Sequence, residues 1–333
     1  MSESSHRGAV LATGADGYVG RALCTHLRQQ GYPVRQAVRS LKTQRAPAAT
    51  PLTDDELRDT VAVGDLSGAV AWEPALRDVD AVIHLAARTH VLHDRAADPL
   101  AEYRRINVEG TRRLATAAAE AGVRRFVFLS SIKVNGEQTF DRPYTEDDAP
   151  RPEDAYGISK WEAEQALHEI AARTGLEVVI LRPPLVYGPG VKANFLRLMQ
   201  LVARGVPLPL GAIDNRRSMV YLGNLVDAIL TCLEAPAARG RTYLVSDDTD
   251  LSTPDLVRGI ATALGVPARL LRCPVALLKA AGTLTGRSAQ VARLAGSLQV
   301  DSRRLRDELG WRPPHTVAAG LAATAAWYRA QSG

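Results

Sequence analysis

The chain has 333 residues, 46% of them hydrophobic, which is enough to bury a full core and argues against disorder. Its net charge of +5 comes from basic residues interleaved with acidic ones, so no nucleic-acid partner is expected. Three scattered cysteines indicate reduced thiols. Without an apolar targeting segment or a run of roughly 20 apolar residues, we expect a cytoplasmic protein with no membrane partner.

Short apolar runs alternate with amphipathic stretches through the first half of the chain. Strands are predicted at residues 9–13, 34–38, 61–63, 81–85, 126–129 and 178–181, and helices at 17–30, 99–121 and 154–174. This alternation is typical of parallel strands joined by crossover helices. The sequence therefore predicts an α/β fold with a doubly wound parallel sheet, followed by a smaller C-terminal lobe.

A glycine-rich turn follows the first predicted strand and opens a helix, with glycines in a Gly-x-x-Gly-x-x-Gly spacing. Glycines let backbone N–H groups approach a pyrophosphate, and a helix N-terminus favours negative charge. The motif predicts a dinucleotide site on a Rossmann-like sheet. The expected contacts at this turn are Gly14, Asp16, Gly17, Tyr18, Val19 and Gly20.

The region after the second predicted strand decides between two dinucleotides. An acidic residue about 20 positions beyond the glycines usually binds the adenosine ribose, yet residues 17–53 contain no carboxylate. Basic side chains occupy this region: Arg35, Arg39, Lys42 and Arg45. Arginine suits a 2′-phosphate, so we predict NADP(H) over NAD(H), with Arg39 as the leading contact. The alternative is that these cations only decorate an exposed loop.

The next two predicted strands add further dinucleotide contacts at the same edge of the sheet. Asp65 and Leu66 follow the third strand, and Leu85, Ala86 and Ala87 close the fourth. The Asp65 carboxylate can accept from an adenine amine, while the small alanines let a dinucleotide lie against the backbone. Parallel sheets bind ligands at this carboxyl edge.

Tyr156 and Lys160 stand at positions i and i+4 of a predicted helix, so they share one face. Tyrosine ionises near pH 10, and a nearby cation favours the phenolate, which makes Tyr156 a usable acid or base. Ser131 ends the fifth predicted strand, where its hydroxyl can bond the same substrate oxygen. We predict these three residues to be catalytic in a hydride transfer.

Together these residues resemble the short-chain dehydrogenase/reductase superfamily, and within it the extended sugar-nucleotide epimerase/dehydratase branch. The resemblance extends over nearly the whole chain and includes the segments LRPPLVYGPG at 181–190, RSMVY at 217–221 and LGWRP at 309–313. It implies that Asn107 and Pro183 contact the dinucleotide together with Tyr156 and Lys160.

The resemblance also implies a nucleoside-diphosphate sugar, UDP-linked, as the partner. Asn194 and Arg217 match positions of the sugar-nucleotide lobe, and Arg217 would face the diphosphate. The alternatives are a surface ion pair for Arg217 and a helix cap for Asn194. The expected contacts nearer the sugar are Ser131, Ile132, Lys133 and Tyr156.

We expect residues 7–184 to form the dinucleotide-binding domain, with 218–247 returning to it, and 185–217 and 248–333 to form the substrate-binding lobe. In proteins that the chain resembles, the helices matching 99–121 and 154–174 often pair between subunits, so a homodimer is expected. The histidines His84, His90 and His93 lack a carboxylate or thiol at ligand spacing, so no metal is expected.

Two positions of the sequence narrow the choice among possible reactions. Dehydratases of the branch carry Asp-Glu directly after the active-site Ser or Thr, where this chain has Ile132 and Lys133. What remains is reduction at C4 or epimerisation at C4. The basic region after the second strand favours NADPH and so the reductase. Residues 130–137, SSIKVNGE, resemble the subgroup of the branch that reduces UDP-4-keto-6-deoxy-N-acetylhexosamines in surface-polysaccharide synthesis, which implies such a substrate. The alternative is a UDP-hexose or UDP-N-acetylhexosamine 4-epimerase.

A non-catalytic dinucleotide sensor is a third alternative, because a fold does not by itself imply a function. The set of Ser131, Tyr156 and Lys160 counts against it, since a pure binding protein has no use for a positioned acid.

Overall fold

A computed structural model describes residues 7–41, 59–68, 70–89, 98–286 and 288–332. Lys42, Arg45, His90 and His93 lie outside these described residues. Of the part described, no helix has both the length and the apolar character needed to cross a membrane.

The strands of the described residues are β1 (Ala9–Thr13), β2 (Val34–Val38), β3 (Thr60–Ala62), β4 (Val79–His84), β5 (Arg125–Leu129), β6 (Glu177–Arg182), β7 (Leu185–Tyr187), β8 (Met219–Tyr221) and β9 (Thr242–Leu244). Seven of them form one parallel sheet in the order β3-β2-β1-β4-β5-β6-β9, and β7 pairs with β8 in a two-stranded parallel sheet. The central strands are almost continuously apolar because helices cover both faces. The strand order reverses between β1 and β4, where such sheets bind ligands.

The helices within the described residues surround this sheet and build the lobe. They are α1 (Tyr18–Gln29), α2 (Glu73–Leu76), α3 (Pro99–Tyr103), α4 (Glu109–Glu120), α5 (Ala155–Thr174), α6 (Ala193–Ala203), α7 (Leu222–Glu234), α8 (Thr253–Leu264), α9 (Val275–Leu284), α10 (Ser288–Ala295), α11 (Arg303–Leu309) and α12 (Val317–Ser332). A π-helix spans Arg104–Val108, and 3-10 turns span Ile132–Val134 and Pro236–Ala238.

Three apolar clusters hold these layers together. Helices α1 and α7 cover one face of the sheet, and α4 and α5 cover the other. The third cluster, between α6, α8 and α12, is the core of the C-terminal lobe. Leu305 and Trp311, from the predicted lobe, pack into the cluster beneath α1 and α7, so the sheet and the lobe share that cluster.

The predicted fold class is confirmed, and the predicted elements agree closely with those observed. Strands β1 and β2 have the predicted bounds, whereas β3 begins one residue earlier and β4 two residues earlier. Helix α5 begins after Asp154 because the Asp154 carboxylate accepts a hydrogen bond from the Gly157 N–H at 2.7 Å. It ends at Gly175, whose φ of 78° is left-handed.

Candidate active site

The glycine-rich turn lies against the end of β4 so closely that side chains are excluded. Gly14 has a φ of +64°, and a Cβ there would lie 2.9 Å from the Ala86 nitrogen. A Cβ on Gly20 would lie 2.1 Å from the Gly14 carbonyl oxygen. At these glycines the backbone therefore approaches the sheet edge with no side chain between them, and its N–H groups can bind a pyrophosphate.

A cleft of about 680 Å³ runs from this turn along the carboxyl edge of the sheet. One end is lined by Arg39 and Asp65, and the other by Lys160 and Pro183. Its walls contain these predicted residues: Gly14, Asp16, Gly17, Tyr18, Val19, Gly20, Arg39, Asp65, Leu66, Leu85, Ala86, Ala87, Ser131, Tyr156, Lys160 and Pro183. Its volume and its glycine cradle fit a dinucleotide.

Sequence reasoning missed other residues of the same walls. Thr13, Thr89, Ser130 and Lys192 line the cleft. Thr13 and Ser130 could have been found by counting one residue from the glycine turn and from Ser131. No sequence signal points to Lys192.

Arg39 and Asp65 face each other at the adenosine end. The Asp65 carboxylate accepts a hydrogen bond from the Ser67 N–H at 2.8 Å. Hydrogen bonds from Ser67, and then the positive charges of Arg39 and Arg105, hold the pKa of Asp65 below its usual range. A 2′-phosphate bound beside Arg39 would therefore be repelled by the negative charge of the Asp65 carboxylate.

Ser131 and Tyr156 meet at the opposite end, with Lys160 one helical turn further along α5. Ser131 is hydrogen-bonded to the Tyr156 side chain. Burial, and then the charges of Asp154 and Tyr103, raise the pKa of Tyr156. We expected the charge of Lys160 to favour the phenolate, but in the chain alone the effect of burial is larger.

Lys160 is a buried cation beneath the same face. Its Nζ lies 3.9 Å from the centre of the Phe128 ring, and the residue is 1% exposed. Burial lowers the pKa of Lys160 to about 7, against the opposing effect of the Glu164 carboxylate. Lys160 therefore changes charge near neutral pH.

A buried network that the sequence did not reveal lies behind these residues. Glu164 accepts a hydrogen bond from the Ser130 hydroxyl at 2.5 Å, and from Arg182 Nε at 3.0 Å and Nη2 at 2.5 Å. Arg182 also donates to the Asn135 side-chain oxygen at 3.0 Å. The network joins α5, β6 and the loop after β5, so it fixes the position of the loop that carries Ser131.

Asn107 lies behind the cleft, in the π-helix. Its amide donates to the Arg88 carbonyl and to the Ser159 hydroxyl, both at 3.0 Å, and its oxygen accepts from the Arg88 N–H at 2.8 Å. It thus ties the segment after β4 to α5. The structure places Asn107 in this supporting position and not among the residues that line the cleft.

His84, at the end of β4, bridges two buried threonine hydroxyls. Its Nδ1 lies 2.6 Å from the Thr13 hydroxyl, and its Nε2 lies 2.9 Å from the Thr111 hydroxyl. Thr111 donates to the Asn107 carbonyl, so Nε2 must be the donor to Thr111 and Nδ1 the acceptor from Thr13. Burial, and then the charge of Lys160, lower the pKa of His84 to about 3.

The predicted substrate residues beyond Ser131 and Tyr156 lie outside the walls of the cleft. Ile132 is buried in an apolar cluster with Leu298. Lys133 is held between Glu137 at 2.6 Å and Asp154 at 2.5 Å. Asp154 and Glu137 therefore fix the ammonium group at the N-terminus of α5.

Asn194 and Arg217 have different surroundings. Asn194 is exposed in the first turn of α6, where the capping position is Lys192, so Asn194 is not the cap. Arg217 donates from Nη1 to the carbonyls of Arg293 at 2.8 Å and Gly296 at 3.0 Å. Burial, and then the charge of Arg293, lower the pKa of Arg217.

No cluster of possible metal ligands occurs within the described ranges.

Comparison with known proteins places this geometry in a family. Residues 10–246 match the model of the NAD dependent epimerase/dehydratase family. The chain is 45% identical to UDP-glucose 4-epimerase of Vibrio cholerae over 95% of this chain and 94% of the relative. It is 29% identical to N-acetyl-alpha-D-glucosaminyl-diphospho-ditrans,octacis-undecaprenol 4-epimerase of Escherichia coli O157:H7, over 94% of this chain and 92% of the relative.

A solved structure, MoeE5 in complex with UDP-glucose and NAD, is similar over 98% of this chain and 100% of its own, with 28% identity and a TM-score of 0.75. The family description and this complex both name NAD, so the expected preference for NADP(H) is not supported. The chain is an enzyme of the short-chain dehydrogenase/reductase type and belongs to the NAD-dependent epimerase/dehydratase family.

Proposed function

We propose that the protein is an NAD-dependent 4-epimerase of a UDP-linked hexose or N-acetylhexosamine. Its 45% identity to the Vibrio cholerae UDP-glucose 4-epimerase, over nearly the full length of both chains, carries this proposal. The name of the Escherichia coli relative, which acts on an N-acetylglucosaminyl group, supports the amino sugar as an alternative to the hexose. The epimerase replaces the reductase as our main interpretation.

The residues that would hold NAD are those of the cleft walls, from the Gly14 turn to Lys160. When bound there, nicotinamide supplies an acceptor and donor of hydride at C4. Tyr156 removes the proton of the 4-hydroxyl and later returns it, while the hydroxyl of Ser131, which lies within hydrogen-bond reach of Tyr156, bonds the same substrate oxygen. Epimerisation requires the hydride to return to the opposite face of C4.

Elimination of water from the sugar is disfavoured at the two positions after Ser131. It needs a second acid and base beside the sugar. Ile132 is apolar and buried, and the Lys133 ammonium is already paired with Glu137 and Asp154. Neither side chain can shuttle the proton that dehydration requires.

Arg217 and the neighbouring Arg293 support a diphosphate as the group bound by the lobe. Arg217 is partly buried and donates to carbonyl groups, and it forms no salt bridge with another described residue, so the surface ion pair that we considered does not occur there. Arg293 has a long ion pair with Glu137, 3.8 Å from Nε to Oε2. Two adjacent guanidinium groups with one distant carboxylate suit a polyanion.

The experiment is incubation of the purified enzyme with UDP-glucose and, separately, UDP-N-acetylglucosamine, with products resolved by chromatography and absorbance followed near 340 nm. We expect the galacto epimer of at least one sugar to form with no net change in added NADH or NADPH. Failure to interconvert either pair would overturn the proposal.

Reduction of a 4-keto sugar is the second candidate, favoured by Arg39 at the end of β2 and by the absence of any carboxylate in residues 17–53. A reductase would consume one NADPH for each UDP-4-keto-6-deoxy sugar reduced, and the same absorbance and chromatography measurements would detect this. The substitution Arg39→Ser would then raise the KM for NADPH much more than that for NADH.

A further inference from the structure

The basic residues of this protein are less evenly distributed than we expected from the sequence. Residues 256–300 contain no Asp or Glu, although the 36 acidic residues of the chain would place about five in a stretch of 45. The same stretch contains six basic residues: Arg258, Arg269, Arg272, Lys279, Arg287 and Arg293. The rest of the chain has 35 basic and 36 acidic residues. The net positive charge therefore lies wholly in this segment.

The segment also exposes large apolar side chains. Leu271, Leu277 and Leu284 are 56%, 60% and 89% exposed. Helix α9 turns Val275 and Leu278 towards the core of the lobe, so its leucines at 277 and 284 lie on the solvent side. A surface helix normally presents polar residues there.

Three cations accompany these leucines. Arg269, Arg272 and Lys279 lie within the same segment, and none of them forms a salt bridge with another described residue. Elsewhere, exposed arginines such as Arg104 and Arg142 pair with a carboxylate, that of Glu162 and of Asp148. The charges around α9 are therefore unmatched within the described chain.

We propose that α9 and its flanking residues, the segment 269–284, dock on an anionic phospholipid surface. Leucines enter the boundary between headgroups and acyl chains while the cations meet lipid phosphates, which is the chemistry of interfacial helices. Residues 256–300 contain no Phe, Tyr, Trp or Met. A protein partner is less suitable because the centres of protein interfaces are enriched in those residues. This peripheral contact departs from our expectation of no membrane partner.

The docking segment is fastened to the part of the lobe that carries Arg217. Helix α10 packs beside α9. The carbonyls at its C-terminal end accept hydrogen bonds from neighbours of the proposed diphosphate site: Leu294 from Asn215 at 3.1 Å and from Thr253 at 2.7 Å, and Arg293 from Arg217 at 2.8 Å. A lipid surface at α9 would therefore lie beside the substrate lobe.

The test is co-sedimentation of the full-length protein with phosphatidylcholine vesicles prepared with and without phosphatidylglycerol. We expect binding only with phosphatidylglycerol, and weaker binding at high salt. The double variants L277Q/L284Q and R272Q/K279Q should each lower the partition coefficient about tenfold or more, because the first removes two apolar side chains from the interface and the second removes two cations that meet lipid phosphates. The matched control R173Q/R239Q makes the same charge change at exposed positions outside the segment.

Three outcomes would overturn the proposal. The proposal is wrong if the wild-type protein does not sediment with anionic vesicles. Equal loss of binding in R173Q/R239Q would show that only total charge matters. Light scattering could instead show that the wild type self-associates as its concentration rises and that L277Q/L284Q does not. That result would assign the exposed face of α9 to contact with a second copy of the chain. Circular dichroism checks folding, and R272Q/K279Q still tests the proposal if the leucine variant does not fold. Sedimentation does not depend on catalysis, so its failure is distinct from failure of the proposed function.

Discussion

Tyr156 is the side chain whose loss should separate chemistry from binding. Tyr156→Phe keeps the ring beside Tyr103 but removes the hydroxyl that is bonded to Ser131. We expect turnover of the UDP-sugar to fall about 10²–10⁴-fold, the usual contribution of a positioned acid or base. Cofactor content, measured by releasing NAD from purified protein, should be unchanged.

Tyr32→Phe is the matched control for that variant. It removes a hydroxyl that donates to Glu234 at 2.6 Å, away from the walls of the cleft. We expect full activity with a loss of about 1 kcal/mol in the free energy of unfolding. Activity of Tyr156→Phe within tenfold of the wild type would contradict the assignment.

His84 should make stability depend on pH. Its pKa falls from about 6.5 in the unfolded chain to about 3 in the folded one. Between these values the unfolded state binds the extra proton, so the free energy of unfolding decreases as pH falls, by about 1.4 kcal/mol per pH unit. His84→Gln can still accept from Thr13 and donate to Thr111 without titrating.

The measurement is the free energy of unfolding by urea, from pH 6.5 downwards, for wild type and His84→Gln. As pH falls, the free energy of unfolding should decrease more for the wild type than for His84→Gln. A constant difference would mean that His84 does not remain neutral in the folded protein.

At the scale of elements, the first turn of α1 should tolerate no side chain at Gly20. Gly20→Ala would bring a Cβ within 2.1 Å of the Gly14 carbonyl and 2.8 Å of the Ala15 Cα, both backbone atoms. We expect several kcal/mol of destabilisation and loss of NAD binding, because the backbone of Gly14 and Ala15 must move. Thermal unfolding and NAD titration measure both.

Gly68→Ala is the corresponding control. The nearest atom to its added Cβ is the Asp65 carbonyl oxygen at 3.5 Å, an ordinary contact, and its φ is not left-handed. Its stability should stay within about 0.5 kcal/mol of wild type. Equal destabilisation of both variants would show that crowding at Gly20 is not the cause.

The regular elements could be predicted because their signals are local. Strand β1 is an apolar run that ends at a turn, and Asp154 marks the start of α5 because its carboxylate caps that helix. The π-helix at Arg104–Val108 could not be predicted, since residues 99–121 form a continuous helical pattern. The loops that place Ser131 depend on Glu164 and Arg182, which are 18 residues apart and meet only after folding.

For the whole molecule, the sequence indicates where the candidate site lies more directly than it indicates the cofactor. The glycine turn and the set of Ser131, Tyr156 and Lys160 line one cleft because strand ends gather at one edge. Arg39 favoured NADP(H) in the sequence, but its position opposite Asp65 depends on the pairing of strands and could not be read there. The clustering of charge at residues 256–300 was visible in sequence but became informative only with the exposure of α9.

The homodimer stays a prediction. Helices α4 and α5 pack against each other, and their outer sides carry the ion pair of Arg112 with Glu169 at 2.9 Å. A dimer formed by that face would have a mass of twice 35.8 kDa by light scattering. We expect that mass, and Arg112→Glu should shift it towards the monomer. A monomeric wild type would contradict the expectation.

Asp247 should determine whether the sheet and the lobe unfold together. Its buried carboxylate accepts three hydrogen bonds, each at 2.8 Å, from the Tyr187 hydroxyl, the Tyr221 N–H and the Asn224 amide. Asn224 in turn bonds the backbone of His315, just before α12. Asp247→Ala leaves three buried donors without this acceptor, at about 1–3 kcal/mol each before relaxation.

We therefore expect Asp247→Ala to lose about 3–5 kcal/mol of stability and to unfold the lobe first, because the link between α7 and the lobe is weakened. Variants that keep Trp311 together with either Trp72, near the sheet, or Trp327, on α12, report the two parts and leave the shared cluster intact. In the wild type both probes should show one transition in urea. In Asp247→Ala the Trp327 signal should change at lower urea than the Trp72 signal. Coincident transitions in the variant would mean that the shared cluster around Leu305 and Trp311 is sufficient to couple the two parts.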